Sequence, residues 1–523
     1  MHQSTAGHSS QITAFKPTGS LRNVGISRRL IATAVACLCL LLGPGISDEL
    51  AAQDETSNEN NAGELAKAAW TYADGFSVDL WADESLISFP TAISFDDQGR
   101  LFIAVHFRNR KGTEDNRMHK YWMDDDFAAR TVDDRLAMYK KWAAEGKQPL
   151  SFYSAHADQI HVVSDSDGDG RADKSVVYAE FADALDGALA GLLARPDGVW
   201  VTNIPHLWKL TGENEDGTAR VREKVHSGFG VKVSLHGHDM HGIIEGPDGR
   251  LYWSIGDRGY HVRTKQGRVL EDAYSGAVFR CERDGSGLEV FATGLRNPQE
   301  LAFDDFGNLF TVDNDADGED RARLLYLVEG GEYGWRMTYQ WPDEHRVDWA
   351  PYIERPWWRE SVWDERPTNQ AMYVMPPIGH ITEGPCGLAR EPGLSTFSDK
   401  YRGAFFVSDF RGVAARSQLW SFRVQTQGAG FRMSESESVA SGLLPTDIEF
   451  GHDGCLYVAD YGEGWAGTGE GRIWRMTGNA GGAEGSPQGK RLAEVKRLLE
   501  LPTKTWASHE LIDLLGHPHK GVR

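Results

Sequence analysis

The feature that most constrains this chain is a unit that returns six times. Each copy is an apolar strand, a turn built on Asp or Pro and Gly, a second strand, and a polar loop. It occurs at 89–105 (FPTAISFDDQGRLFIAV), 189–203 (LAGLLARPDGVWVTN), 241–256 (HGIIEGPDGRLYWSIG) and 298–313, with a degenerate copy at 393–409 and a last one at 444–460. The turn glycines are Gly99, Gly198, Gly249, Gly307, Gly403 and Gly454. Without insertions they fall about 50 residues apart, the period of a propeller blade. One four-stranded blade cannot bury both of its faces; neighbouring blades do so for each other, and closing the ring protects the edges. The expectation is an all-β, six-bladed β-propeller over 70–478. A β-sandwich array is the alternative.

Composition fits that reading. The 58 glycines, 17 tryptophans and 22 phenylalanines favour turns and strands. A formal charge of −21 argues against nucleic acid as a partner and suits cation binding and extracellular solubility.

Residues 1–52 read as a signal peptide and leader. Arg22, Arg28 and Arg29 precede the apolar run 30–42, and small residues follow it. The run is short for a membrane span, so the mature chain is expected to be secreted or periplasmic, with no transmembrane helix. Twin-arginine export and lipoprotein processing at Cys37 are variants of the same reading. Residues 53–69 form a polar lead-in. Beyond the leader only Cys281, Cys386 and Cys455 remain, either as free thiols or with one disulfide; without a CxxC pair the chain offers no haem attachment.

Two intervals between copies are doubled. The insertion 108–149 carries helix formers, and 335–387 carries Trp335, Trp341, Trp349, Trp357, Trp358 and Trp363. Insertions in a propeller project from a rim, so these should wall the central opening. The tryptophans either stack on a sugar or pack the insertion onto the ring. A linker at 479–489 leads to leucines at helical spacing over 490–523, read as the start of a HEAT-like helical region that lacks anything but a further repeat to pack on.

Three motifs carry candidate chemistry. Asp165, Asp167 and Asp169, with Arg171 and Asp173, surround one point as in short acidic calcium loops, giving a structural calcium site. Asp313, Asn314, Asp315 and Asp317 are less regular and form a second calcium candidate, or a rim loop of salt bridges. His236, His238 and His241 lie before the third copy; one such histidine at a channel mouth is a sound general base.

The segments GHDMHGIIEGPDGRLYWSIGDRG, TGLRNPQELAFDDFGNLF and EGGEYGW resemble, in order and spacing, the soluble quinoprotein glucose and sorbosone dehydrogenases. That resemblance covers 76–476. It implies a six-bladed propeller binding pyrroloquinoline quinone and calcium, with His238 taking the alcohol proton. It also implies Arg296, Asn297 and Gln299 near the quinone, with Arg411 a candidate grip on its carboxylates. With its leader and helical tail the chain is also similar to bacterial propeller–HEAT–cytochrome c proteins described as membrane-bound dehydrogenases. The implied function is oxidation of a sugar or alcohol, with electrons passing to a c-type cytochrome outside this chain. The alternatives are a non-catalytic carbohydrate- or protein-binding propeller and a calcium-dependent lactonase.

Overall fold

Six sheets stand around a central channel, each following the next along the chain. A computed structural model describes residues 70–318, 320–340, 356–365, 374–479, 485–500 and 507–523. Blade 1 comprises Pro90–Phe95, Leu101–Val105, Asp158–Ser164 and Lys174–Phe181. Blade 2 comprises Gly191–Arg195, Gly198–Asn203, His206–Glu213 and Ala219–Ser227. Blade 3 has Met240–Glu245, Leu251–Ile255, Gly276–Cys281 and Glu289–Leu295, with Gly331–Glu332 added outside in parallel. Blade 4 has three strands among the described residues, Pro298–Phe303, Leu309–Asp313 and Arg323–Leu327. Blade 5 comprises Pro385–Arg390, Phe405–Asp409, Gln418–Gln427 and Gly430–Ser441. Blade 6 holds Pro445–Phe450, Leu456–Asp460 and Arg472–Gly478, and its outer strand is Phe76–Ala82 from the start of the fold. The first strand of each blade neighbours that of the next, and blade 6 returns to blade 1.

The second strands show why the blades stack. Leu101–Val105, Leu251–Ile255, Leu309–Asp313, Phe405–Asp409 and Leu456–Asp460 are buried at every position. Both faces of each sheet are therefore interior, and each large apolar side chain so buried contributes about 1.5–3 kcal/mol. Hydroxyls stitch the inner seams: Thr91 donates to the Leu189 carbonyl at 2.6 Å, Ser254 to Gln299 at 3.3 Å and Thr446 to Pro90 at 2.8 Å. The repeated turns owe their shape to an aspartate that accepts amides two or four residues on, as Asp96 and Asp304 do.

Two expectations need adjustment, and one open alternative is decided. The fifth copy's inner strand is Pro385–Arg390 rather than the segment after Gly393, and the loop 391–404 replaces its tight turn. Glu391-Pro392-Gly393 breaks the strand, and Phe397 and Tyr401 of that loop pack on Phe76. The first C-terminal helix, Pro487–Leu499, does have a surface to pack on: Leu492 and Val495 are buried against Leu394. The three cysteines are free thiols. The leader, the lead-in 53–69, Trp341 and Trp349 and part of the linker lie outside the described residues. No described helix is long and apolar enough to cross a membrane.

Candidate active site

Strand direction defines two rims. Loops between second and third strands, and those entering each first strand, share one rim; the turns between first and second strands share the other. His238 and Arg296 precede first strands, and Asp257 follows a second strand, so all three come to the same rim.

There His238 Nδ1 lies 2.8 Å from Asp257 Oδ1, and both are buried. The carboxylate is an acceptor, so Nδ1 carries the proton and Nε2 keeps its lone pair. Nε2 has no hydrogen-bond partner among the described residues. Ser234 Oγ donates to Asp257 Oδ1 at 2.6 Å and Trp335 Nε1 to Oδ2 at 2.8 Å. Burial lowers the His238 pKa, against the pull of Asp257, so the ring is held neutral. Burial works to raise the Asp257 carboxyl, but His238, Arg296 and Ser234 outweigh it and hold it below the usual range.

Arg296 and Asn297 are placed by an aspartate that closes a second strand. Asp313 accepts from the Arg296 amide at 3.1 Å and the Asn297 amide at 2.7 Å, while the buried Arg323 guanidinium donates to it at 2.6 Å. The Arg296 carbonyl accepts from the Asp257 amide at 2.8 Å, which links the two halves of the site. Arg296 Nε donates to Gln340 at 3.1 Å, and its guanidinium lies 5.6 Å from the centre of the Trp335 ring. Arg296 Nη1 and Asn297 Oδ1 are buried without partners, one a donor and one an acceptor. Gln299 Nε2 donates to the Gly237 carbonyl at 3.1 Å and so fixes the turn that presents His238.

Both insertions cover this rim. Residues 106–157 carry the helix Val132–Ala144, started by a Thr131–Asp134 capping box. Asp126, at the end of the short helix Met123–Ala128, accepts from the Val233 amide at 2.7 Å, and Lys232 caps that helix end through three carbonyls. From the second insertion, Trp335 and Trp357 pack edge to face at 5.0 Å. Trp357 donates to Asp320 at 2.8 Å. These two tryptophans thus fasten the insertion to the ring.

Other expected site residues are dispersed. Asp313 is fully occupied by amides and Arg323, Asp315 accepts from the Asp317 amide, and Asp317 lies 3.4 Å from Arg296. Asn314 accepts from the Asp315 amide at 2.9 Å. Burial together with Asp320 and Asp317 pushes the Asp315 carboxyl up to about 7, against Arg296. Among the described residues, this loop does not bring three acidic side chains within ligand reach of one another. Asp165, Asp167 and Asp169 are the one such group among the described residues, with oxygens within 4.8 Å of one another. They lie between the third and fourth strands of blade 1, on the rim opposite His238. Asp173 turns instead to Ser166, accepting from its amide at 2.9 Å, and Arg171 reaches toward Asp83. Arg411 pairs with Glu383. His241 donates to the Gly237 carbonyl at 2.8 Å, and His236 stacks on His106. Gln340 and Arg323 carry no sequence signal as site residues; Asp257 and Trp335 stand within the SIGDRG and EGGEYGW motifs, but their pairing needs the blade geometry.

Fold and site together define a six-bladed β-propeller with a buried histidine–aspartate pair on the rim that its insertions cover. The chain belongs to the family described as domain of unknown function (DUF7133), whose match spans residues 64–464. Over 141 residues, 22% of this chain, it is 30% identical to quinoprotein glucose dehydrogenase B of Acinetobacter calcoaceticus. The match spans 29% of that relative's length. Among solved structures it is similar to the PQQ-bound aldose sugar dehydrogenase of Streptomyces coelicolor, at 17% identity and TM-score 0.45, covering 78% of this chain and 99% of that one. It is also similar to the PQQ domain of pyranose dehydrogenase from Coprinopsis cinerea, at 11% identity and TM-score 0.45, covering 78% and 97%.

Proposed function

We propose that this chain is an exported quinoprotein-type dehydrogenase domain that oxidises a hydroxyl of a sugar or related alcohol and passes electrons to a c-type cytochrome partner. The observation that carries the reading is the neutral, Asp257-held His238 whose Nε2 lone pair is free, beside the unpartnered Arg296 Nη1 and Asn297 Oδ1. The 30% identity to a quinoprotein glucose dehydrogenase supports it.

The residues present fit a quinone: an orphaned buried donor complements a carbonyl oxygen, and an orphaned buried acceptor complements a ring N–H. Arg296 and Asn297 would hold it, with Gln299 supporting the adjacent turn. Arg411 is the candidate for its carboxylates, once released from Glu383. When bound, pyrroloquinoline quinone supplies the hydride acceptor. His238 Nε2 accepts the hydroxyl proton as the carbon gives up hydride. Asp257 orients the ring and stabilises the imidazolium that forms. The Arg296 guanidinium would stabilise negative charge developing on the acceptor. Trp335 and Gln340 hold Asp257 and Arg296 in place by hydrogen bonds, all four side chains being buried. Calcium is proposed at Asp165, Asp167 and Asp169, where its role is to stiffen blade 1.

The test is titration of the calcium-loaded protein with pyrroloquinoline quinone, followed by absorbance and calorimetry, beside Arg296→Ala and His238→Ala. The expected result is tight binding weakened by Arg296→Ala, with sugar-dependent bleaching of the quinone only when His238 is present. Absence of binding at high micromolar quinone overturns the reading.

A further inference from the structure

A second histidine–aspartate pair stands on the same rim, at the seam between the last blade and the first. His106 Nδ1 is 2.8 Å from Asp158 Oδ2, and both side chains are buried. Asp158 also accepts from the Arg108 amide at 3.0 Å and the Leu189 amide at 3.3 Å, so it is fixed as an acceptor and His106 carries its proton on Nδ1. On the other side of the ring Nε2 meets Thr113 Oγ1 at 3.4 Å, but that hydroxyl gives its proton to the Arg108 carbonyl at 2.9 Å. Nε2 is therefore an acceptor without a good donor.

His106 lines a cavity of about 350 Å³ with Phe89, Phe107, Asn109, Arg110, Lys111 and the 466–468 turn. That volume lies within the range of small-molecule sites. Phe89 and Arg110 both hold left-handed backbone, with φ of 46° and 55°, and a bulky residue keeps such a conformation only where its surroundings enforce it. The turn bearing Arg110 and Lys111 is anchored by Arg108, whose buried guanidinium donates to the carbonyls of Asp183 and Asp186 at 3.1 Å. The two walls are joined where Asn109 Nδ2 donates to the Trp465 carbonyl at 2.9 Å.

Charge and aromatic surface narrow the ligand. In a chain of net charge −21, Arg110 and Lys111 are exposed and make no ion pair among the described residues. Next to the cavity Trp465 is 63% exposed. A Cβ on Gly412 would fall 2.2–2.6 Å from three atoms of its indole, so one ring face rests on that glycine and the other faces solvent. An open indole face suits the apolar face of a sugar ring. A paired Arg and Lys suits a carboxylate, and a histidine lone pair suits a hydroxyl donor.

We propose that this seam binds a saccharide carrying carboxylates, a uronic acid or a short uronate oligomer. In this arrangement Trp465 stacks on one ring, Arg110 and Lys111 take a carboxylate, and His106 Nε2 accepts from a ring hydroxyl. The seam adjoins the turn that bears His238, with His106 stacked on His236, but the proposal does not rest on the quinone reading.

Calorimetric titration of the full chain without quinone tests it, using trigalacturonate against the neutral galactose trimer. The expected result is preference for the acidic trimer that shrinks with added salt. Loss of two charge-assisted contacts in an Arg110→Ala/Lys111→Ala variant should weaken that binding about tenfold or more. Trp465→Ala should weaken both trimers. All three side chains are exposed, so thermal melting should match the parent. Equal affinity for acidic and neutral trimers overturns the proposal, as does parental affinity in the double variant. So does competition by pyrroloquinoline quinone, which would give the cavity to the cofactor.

Discussion

His238 and Asp257 meet at 2.8 Å with side chains 4% and 1% exposed, one just before the start of a strand and the other just past the end of its antiparallel neighbour in the same blade. An interaction so shielded sets the tautomer as well as the position of the ring. Replacing Asp257 by Asn removes the acceptor preference for Nδ1–H, so the wrong nitrogen presents its lone pair. The expected loss in quinone-dependent turnover is about 10²–10⁴-fold with little change in KM, by analogy with other histidine–aspartate pairs. Because burial lowers the His238 pKa, the acid limb of kcat/KM in the parent should lie below the ordinary histidine value of about 6.5. A limb above it, or an active Asn variant, would remove His238 as the base.

Gly256 tests the packing behind that pair. A Cβ there would sit 2.7 Å from the His238 carbonyl and 2.8 Å from Asn297 Oδ1. Gly256→Ala must push the His238 turn and Asn297 apart, with an expected cost of about 1–3 kcal/mol. Chemical denaturation measures the cost, and quinone affinity should fall in parallel. A variant with parental stability and parental affinity would mean that the two loops are not pressed together.

Asp313 and Arg323 form an ion pair, at 2.6 Å, that is fully buried beneath Arg296. Asp313→Asn leaves the Arg323 charge uncompensated, at an expected cost of about 3–5 kcal/mol. If Asp313 were instead a calcium ligand, the loss would vanish in calcium-free buffer; the denaturation midpoint with and without chelator separates the two roles.

Calcium should act at the other rim. Chelation is expected to lower the melting temperature of the parent. Asp167→Asn should lower it in calcium and abolish the response to chelator, without altering quinone binding. An equal response to chelator in both proteins would place the ion elsewhere.

Stability should peak in weakly acidic to neutral solution. Burial pushes the Glu449 carboxyl up to about 8, and burial also raises Glu300 and Asp447 beside it. The folded state thus holds protons that the unfolded chain has released, and the contribution of these carboxyls to stability falls as pH rises from about 4 through about 8. On the acid side burial lowers His206 and His241 to about 4, so these histidines oppose folding as pH falls below about 6.5. Glu449→Gln should flatten the alkaline slope by up to about 1.4 kcal/mol per pH unit. A slope unchanged in that variant would assign the protons to other groups.

Five of the six repeats were legible because their turns are local: an aspartate or a Pro-Asp pair beside a glycine writes its own hydrogen bonds within a few residues. The fifth blade was displaced because a fourteen-residue loop, 391–404, stands where that local signal should be. His238, Arg296 and Asn297 were reachable through motif resemblance, whereas the pairings that hold them were not. Trp335 and Gln340 lie 78 and 44 residues from the groups they hold, and only ring geometry brings them together. The alternation of aspartates over 313–317 does not by itself tell which oxygens are engaged: Asp313 ends a buried strand, where its oxygens answer amides and Arg323.

The outer strand of blade 6 is Phe76–Ala82, and Thr71–Tyr72 adds to blade 5. Two blades built from the last third of the chain therefore wait on a ribbon made at its beginning. During synthesis that ribbon must stay single and soluble until nearly four hundred further residues have emerged. The ring thus closes last on the segment made first, and a tether or tag fused just before Trp70 would sit at the clasp of the whole ring.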